Sequence, residues 1–113
     1  MKKKNIDKQK NSKLLNAVPF ENGFHFFTDH GKYTGITAIS TVEFAEKLQI
    51  IPIQAVKFHF QRQDFQNWLK NTIGDEELSE RIDQIKAVSQ DEELRKELFN
   101  TVQNRISELQ VHP

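Results

Sequence analysis

The chain of 113 residues has no cysteine, a single methionine, a single tryptophan and a single tyrosine. The missing cysteine excludes a disulfide framework and thiolate metal sites, and says little about compartment. No apolar run approaches the roughly 18 residues that a membrane span needs. The N-terminus carries lysines without an apolar stretch, so it does not read as a secretory signal. The expected setting is therefore soluble and cytoplasmic, with no membrane partner. There is no excess of either charge: sixteen basic and sixteen acidic side chains cancel. Global charge thus points to no partner. The four glycines, at 23, 31, 35 and 74, are too scattered for a phosphate loop or a dinucleotide fingerprint. No cofactor is expected.

What the chain does have is phenylalanine, nine residues that supply much of the core volume. Its charges are also segregated. Met1–Lys13 holds Lys2, Lys3, Lys4, Lys8, Lys10 and Lys13 against Asp7 alone. Asp75–Glu93 holds eight acids, Asp75, Glu76, Glu77, Glu80, Asp83, Asp91, Glu92 and Glu93, against Arg81 and Lys86. Residues 1–17 have no sustained period and few apolar side chains, and read as a disordered basic arm with a short turn at Leu14-Leu15. A lysine arm is able to touch nucleic acid. No aromatic is interleaved to stack on bases, so a solubilising tail is the preferred reading.

Residues 18–110 read as one α+β domain, a β-hairpin packed on about four helices. Phe24–Thr28 and Tyr33–Ile39 are β-prone runs around the turn Asp29-His30-Gly31-Lys32. Gly35 inside the second run suggests a bulge or a close backbone approach. Ser40-Thr41-Val42-Glu43 is a capping box, opening a helix that buries Phe44, Ala45 and Leu48 and ends before Pro52. Residues 53–60 are ambiguous. Ile53, Val56 and Phe60 have helical spacing, while Val56, Phe58 and Phe60 alternate like a strand. Helix is the expectation, with Phe58 pointing away from the main stripe.

The central stretch runs from Arg62 to Gly74. Phe65, Trp68, Leu69 and Ile73 form one helical stripe. Asp64 stands where an N-cap is expected and Gly74 where a left-handed terminator is. Asp75 should cap the next helix, with Leu78, Ile82 and Ile85 on its buried face. Ser89-Gln90-Asp91-Glu92 reads as a second capping box. The last helix carries Leu94, Leu98, Phe99, Val102, Ile106 and Leu109 as a stripe, read as core, with a homodimer seam as the alternative.

These residues resemble a known family. Phe26-x-Thr28, Thr34-Gly35, Ser40-x-x-Glu43-Phe44, Pro52, Phe58-His59, Arg62-x-Asp64-Phe65-x-x-Trp68 and Gly74-Asp75-x-x-Leu78 are similar to a small domain of unknown function. That domain occurs in archaea and bacteria, alone or beside enzyme domains, some of them carbohydrate-active. The resemblance covers about Pro19 to Leu109. The helical part is also similar to segments found near phosphoenolpyruvate-synthase-like proteins. The family often carries glycine where this chain has Gln63, which implies either a strained Gln63 or a different turn here. The resemblance brings no activity and no catalytic residues with it.

Candidate chemistry centres on His25, His30, His59 and Arg62. Two histidines and a carboxylate are able to hold zinc or iron. No helical His-x-x-x-His pair exists, however, and His25 and His30 would have to meet across a turn. His59, between Phe58 and Phe60, reads as a hydrogen-bonded, partly buried histidine. Arg62 either pairs with Asp64, the preferred reading, or presents its guanidinium to an anion. No glycine pattern frames a nucleophilic serine. The expected function is a non-catalytic interaction or regulatory module with a protein partner. The alternative is a small metal-binding protein or enzyme using His25, His30 and His59. Nucleic-acid binding through the lysine arm is the weaker alternative.

Overall fold

A computed structural model describes residues 13–86 and 91–110. The expected arm therefore falls mostly outside the described residues, as do Ser89 and Gln90 of the second capping box. Leu14, at the end of the arm, sits in a short helical turn and is buried.

A 3₁₀ turn, Phe20–Asn22, leads into an antiparallel hairpin of β1, Phe24–Asp29, and β2, Lys32–Ala38. Gly31 takes the turn at φ 71°. Phe27 pairs with Tyr33, and His25 with Thr37. Between these pairs one residue of β1, Phe26, faces three of β2, Thr34, Gly35 and Ile36, and the excess is a bulge around Gly35 at φ 86°. A side chain there would meet nothing within 4 Å, so the bulge, and not a close approach, explains the glycine. The Thr34 hydroxyl holds the bulge: it donates to the Phe26 carbonyl at 2.8 Å and accepts the Ile36 N–H at 3.0 Å.

Five α-helices follow among the described residues: α1 Thr41–Leu48, α2 Ile53–Gln61, α3 Asp64–Trp68, α4 Glu76–Asp83 and α5 Asp91–Gln110. The fold is α+β and mostly helical, as expected. Ser40 caps α1 by accepting the Glu43 N–H at 3.1 Å. The reciprocal arm of the expected box reaches one residue further, because Glu43 Oε1 accepts from the Ile39 N–H at 3.0 Å. Residues 53–60 are helical. Their buried face is Ala55, Val56 and His59, with Ile53 and Phe60 only partly covered. Helix α3 runs into a π turn, Leu69–Ile73, which Gly74 ends at φ 92°.

The hairpin alone cannot bury its aromatic face. Helix α2 packs on β1 and α1 on β2, while α5 crosses α1, α2 and α4. Phe24 is the hub of the core. Its ring lies 4.7 Å from His59, 4.8 Å from Phe26, 5.1 Å from Phe65, 5.6 Å from Phe44 and 5.7 Å from Trp68. The stripe of α5, Leu94, Leu98, Val102, Ile106 and Leu109, is buried within the chain itself. Arg95 of α5 donates to the Leu48 and Ile51 carbonyls at 2.7 and 2.8 Å, closing the open end of α1. Arg105 donates to both oxygens of buried Asp75, whose Oδ1 also accepts the Leu78 N–H as the cap of α4. No described helix is long and apolar enough to cross a membrane.

Candidate functional site

Between β1 and the end of α2 lies a groove of about 390 Å³. Phe24, Phe27, Phe58 and Trp68 supply its apolar surface, and His25, His30, His59 and Arg62 all line it. Each polar side chain arrives by a different local route. His25 points away from the core face that holds Phe26, and its Nδ1 lies 2.8 Å from Thr37 Oγ1 on β2. Asp29 and His30 share the turn, where Asp29 Oδ1 accepts the His30 N–H at 2.7 Å. The exposed His30 ring stands edge-on to Phe58 at 5.4 Å.

His59 is the buried member, at 4% exposure. Its Nε2 accepts the Phe27 backbone N–H at 2.8 Å, which leaves Nδ1 as the protonated nitrogen, facing Asp64 Oδ2 at 2.8 Å. Both ring nitrogens are thus engaged. Burial pushes the His59 pKa below the usual histidine value, against the opposing pull of the Asp64 carboxylate.

Asp64 does not cap a helix. It is the first residue of α3, and the cap position belongs to Gln63. Its carboxylate is held instead by His59 and by Arg62, whose Nε donates to Oδ2 at 3.0 Å. Gln63 lies in the left-handed region at φ 62° and ψ 26°, so the strained alternative is the one realised. That turn is what brings Arg62 and Asp64 side by side. The Arg62 guanidinium also lies over the Phe58 ring, 5.0 Å from its centroid. Beyond Asp64 it has no hydrogen-bond partner among the described residues, so the Nη1–Nη2 edge remains open, and about half of the side chain is exposed.

The histidines share one groove without sharing one point. Among the described residues, no three histidine or acidic side chains come close enough to hold an ion. Trp68 belongs to both core and groove: it is buried, and its indole N–H donates to the Asn22 carbonyl at 2.9 Å. The Asn22 carbonyl and the Phe27 N–H were not singled out from the sequence, because backbone atoms carry no residue signature. Phe58 carried a signal, since a helical reading turns it away from the buried stripe.

No curated protein and no solved structure matches the chain. A family model does match, over residues 4–103, and the chain belongs to that family, described as a family of unknown function, DUF5752.

Proposed function

We propose that the domain is a non-catalytic interaction module, and that a partner protein docks in the groove between β1 and α2. The observation that carries this reading is the state of His59. A general base needs a free lone pair, and the His59 lone pair on Nε2 is occupied by the Phe27 amide. Asp64 is engaged by His59 and Arg62, and one ring nitrogen of His25 by Thr37. The groove offers apolar surface and an exposed rim, which suit binding better than turnover. The metal reading gains no support from His25, His30 and His59, which line the groove without converging. The nucleic-acid reading rests on lysines that, apart from Lys13, lie outside the described residues.

Photo-crosslinking tests the proposal. A benzophenone amino acid is placed at position 25 or 30, and at Gln103 on α5 as a control, and the protein is expressed in its native cell. The same discrete protein adduct is expected from 25 and 30. It should be absent from 103 and abolished by Phe58→Asp in the groove wall. No adduct from either groove position, or equal labelling from 103, overturns the proposal.

A further inference from the structure

From the geometry of Arg62 we infer that the groove recognises a carboxylate attached to an apolar group, with the carboxylate on the outer edge of the guanidinium. This rests on the docking role proposed for the groove, and adds the chemistry of the docked segment. Two contacts fix the guanidinium. Asp64 takes Nε at 3.0 Å, and the guanidinium carbon lies over the Phe58 ring, 5.0 Å from its centroid. A flexible surface arginine loses rotational freedom on binding, and these two contacts reduce that loss in advance. The open Nη1–Nη2 edge has the fork geometry that takes two carboxylate oxygens at once. Next to it, the groove wall of Phe58, Phe24 and Trp68 offers the apolar seat.

Two acidic groups also line the groove, and neither competes for that edge. Asp64 is already held by Arg62 Nε and His59. Asp29 is turned to the His30 N–H in the exposed turn, where solvent and salt screen its charge. The imidazoles of His25 and His30 complete a rim able to donate to an anion. The source that fits is a chain terminus, where one residue carries both the carboxylate and the apolar side chain; an acidic side chain beside an apolar residue is the other outcome of the test.

Three small probes on the full chain separate these sources: N-acetylphenylalanine, its neutral amide, and N-acetyl-phenylalanyl-aspartyl amide. Binding is followed by amide and indole NMR shifts, with Phe27 and Trp68 as reporters inside the groove. The carboxylate probes should shift groove residues with affinity about tenfold above the neutral amide, the scale of one charge-assisted pair. Preference for the first over the third assigns a chain terminus, and the reverse an acidic side chain. Arg62→Ala should bring the ratio of carboxylate to amide affinity to about one. Arg62→Lys keeps the charge without the fork and should retain only part of the preference. No groove shift with any probe, equal affinity for acid and amide, or an Arg62→Lys variant equal to the parent overturns the inference. Crosslinks from position 30 that are indifferent to carboxylate would sink this inference alone. Carboxylate binding without protein crosslinks would sink the docking role alone.

Discussion

The Nε2 atom of His59 accepts the backbone N–H of Phe27 at 2.8 Å, so a side chain of α2 closes a hydrogen bond that belongs to the backbone of β1. The two residues are 32 positions apart. The contact ties helix to hairpin at the base of the groove, and the Nδ1 contact to Asp64 ties the same ring to α3. One imidazole thereby orders three elements, and that is a structural role.

The arrangement has a pH signature. The folded pKa of His59 is depressed by burial. Its contribution is therefore fully present above the unfolded value of about 6.5. As pH falls below that value, the unfolded chain takes up a proton that folded His59 refuses, and stability falls until the lower folded pKa is passed. Urea unfolding of the parent at pH 8 and pH 5.5 should show this loss. His59→Phe keeps a ring of similar volume and orphans the Phe27 amide. It should cost about 1–3 kcal/mol at pH 8 and flatten the pH dependence. An unchanged slope in that variant would remove His59 as its source.

Trp68 packs against Phe24 and Phe44 and donates its indole N–H to Asn22. Trp68→Ala should cost about 3–5 kcal/mol, the loss expected for a large buried aromatic. Trp68→Phe should cost less, because it keeps most of the packing and gives up one hydrogen bond of about 1 kcal/mol. Thermal or urea unfolding separates the two. Equal losses would mean that the Asn22 contact, and not packing, is what matters at this position.

The local elements were legible in the sequence because their causes are local. Ser40 and Glu43 mark the start of α1, and Gly31, Gly35 and Gly74 stand at positive φ where a turn, a bulge and a helix end need it. Where the sequence misled, a distant partner had overridden a local preference. Asp64 has the composition of a cap, yet its carboxylate goes to His59, a residue no window around Asp64 identifies as its partner. The helical reading of residues 53–60 placed Phe60 in the stripe. The buried side instead includes His59, whose polarity is acceptable only because both nitrogens are satisfied across the fold. His25, His30, His59 and Arg62 were found as residue types, and their common groove was not, because it exists only once α2 lies along β1.

Arg105, itself partly buried, pairs with Asp75 30 residues away, and Asp75 is only 1% exposed. Removing one partner leaves the other charge uncompensated. Arg105→Met should cost about 3–5 kcal/mol. The paired change Asp75→Asn with Arg105→Met should recover part of the loss, since asparagine still caps α4 and the buried charge is gone. A double-mutant cycle by urea unfolding measures the coupling. Additive losses would show that the two side chains do not depend on each other.

Gln63 is the only non-glycine residue at positive φ among the described residues. It holds the left-handed turn that sets Arg62 and Asp64 together, and a side chain there costs roughly 1–2 kcal/mol. Glycine removes that cost and adds backbone entropy to the unfolded chain, a smaller opposing effect of about 0.5–1 kcal/mol. Gln63→Gly should therefore stabilise the domain by up to about 1.5 kcal/mol, read as a higher urea midpoint at unchanged slope. Gln63→Val, with a branched side chain in the same conformation, should destabilise it. The two variants should also differ at the groove. A turn that relaxes away from left-handed geometry pulls Arg62 off Phe58, so Gln63→Val should weaken carboxylate binding, whereas Gln63→Gly should preserve it. Loss of stability in the glycine variant would mean that the Gln63 side chain makes a favourable contribution larger than the strain it carries.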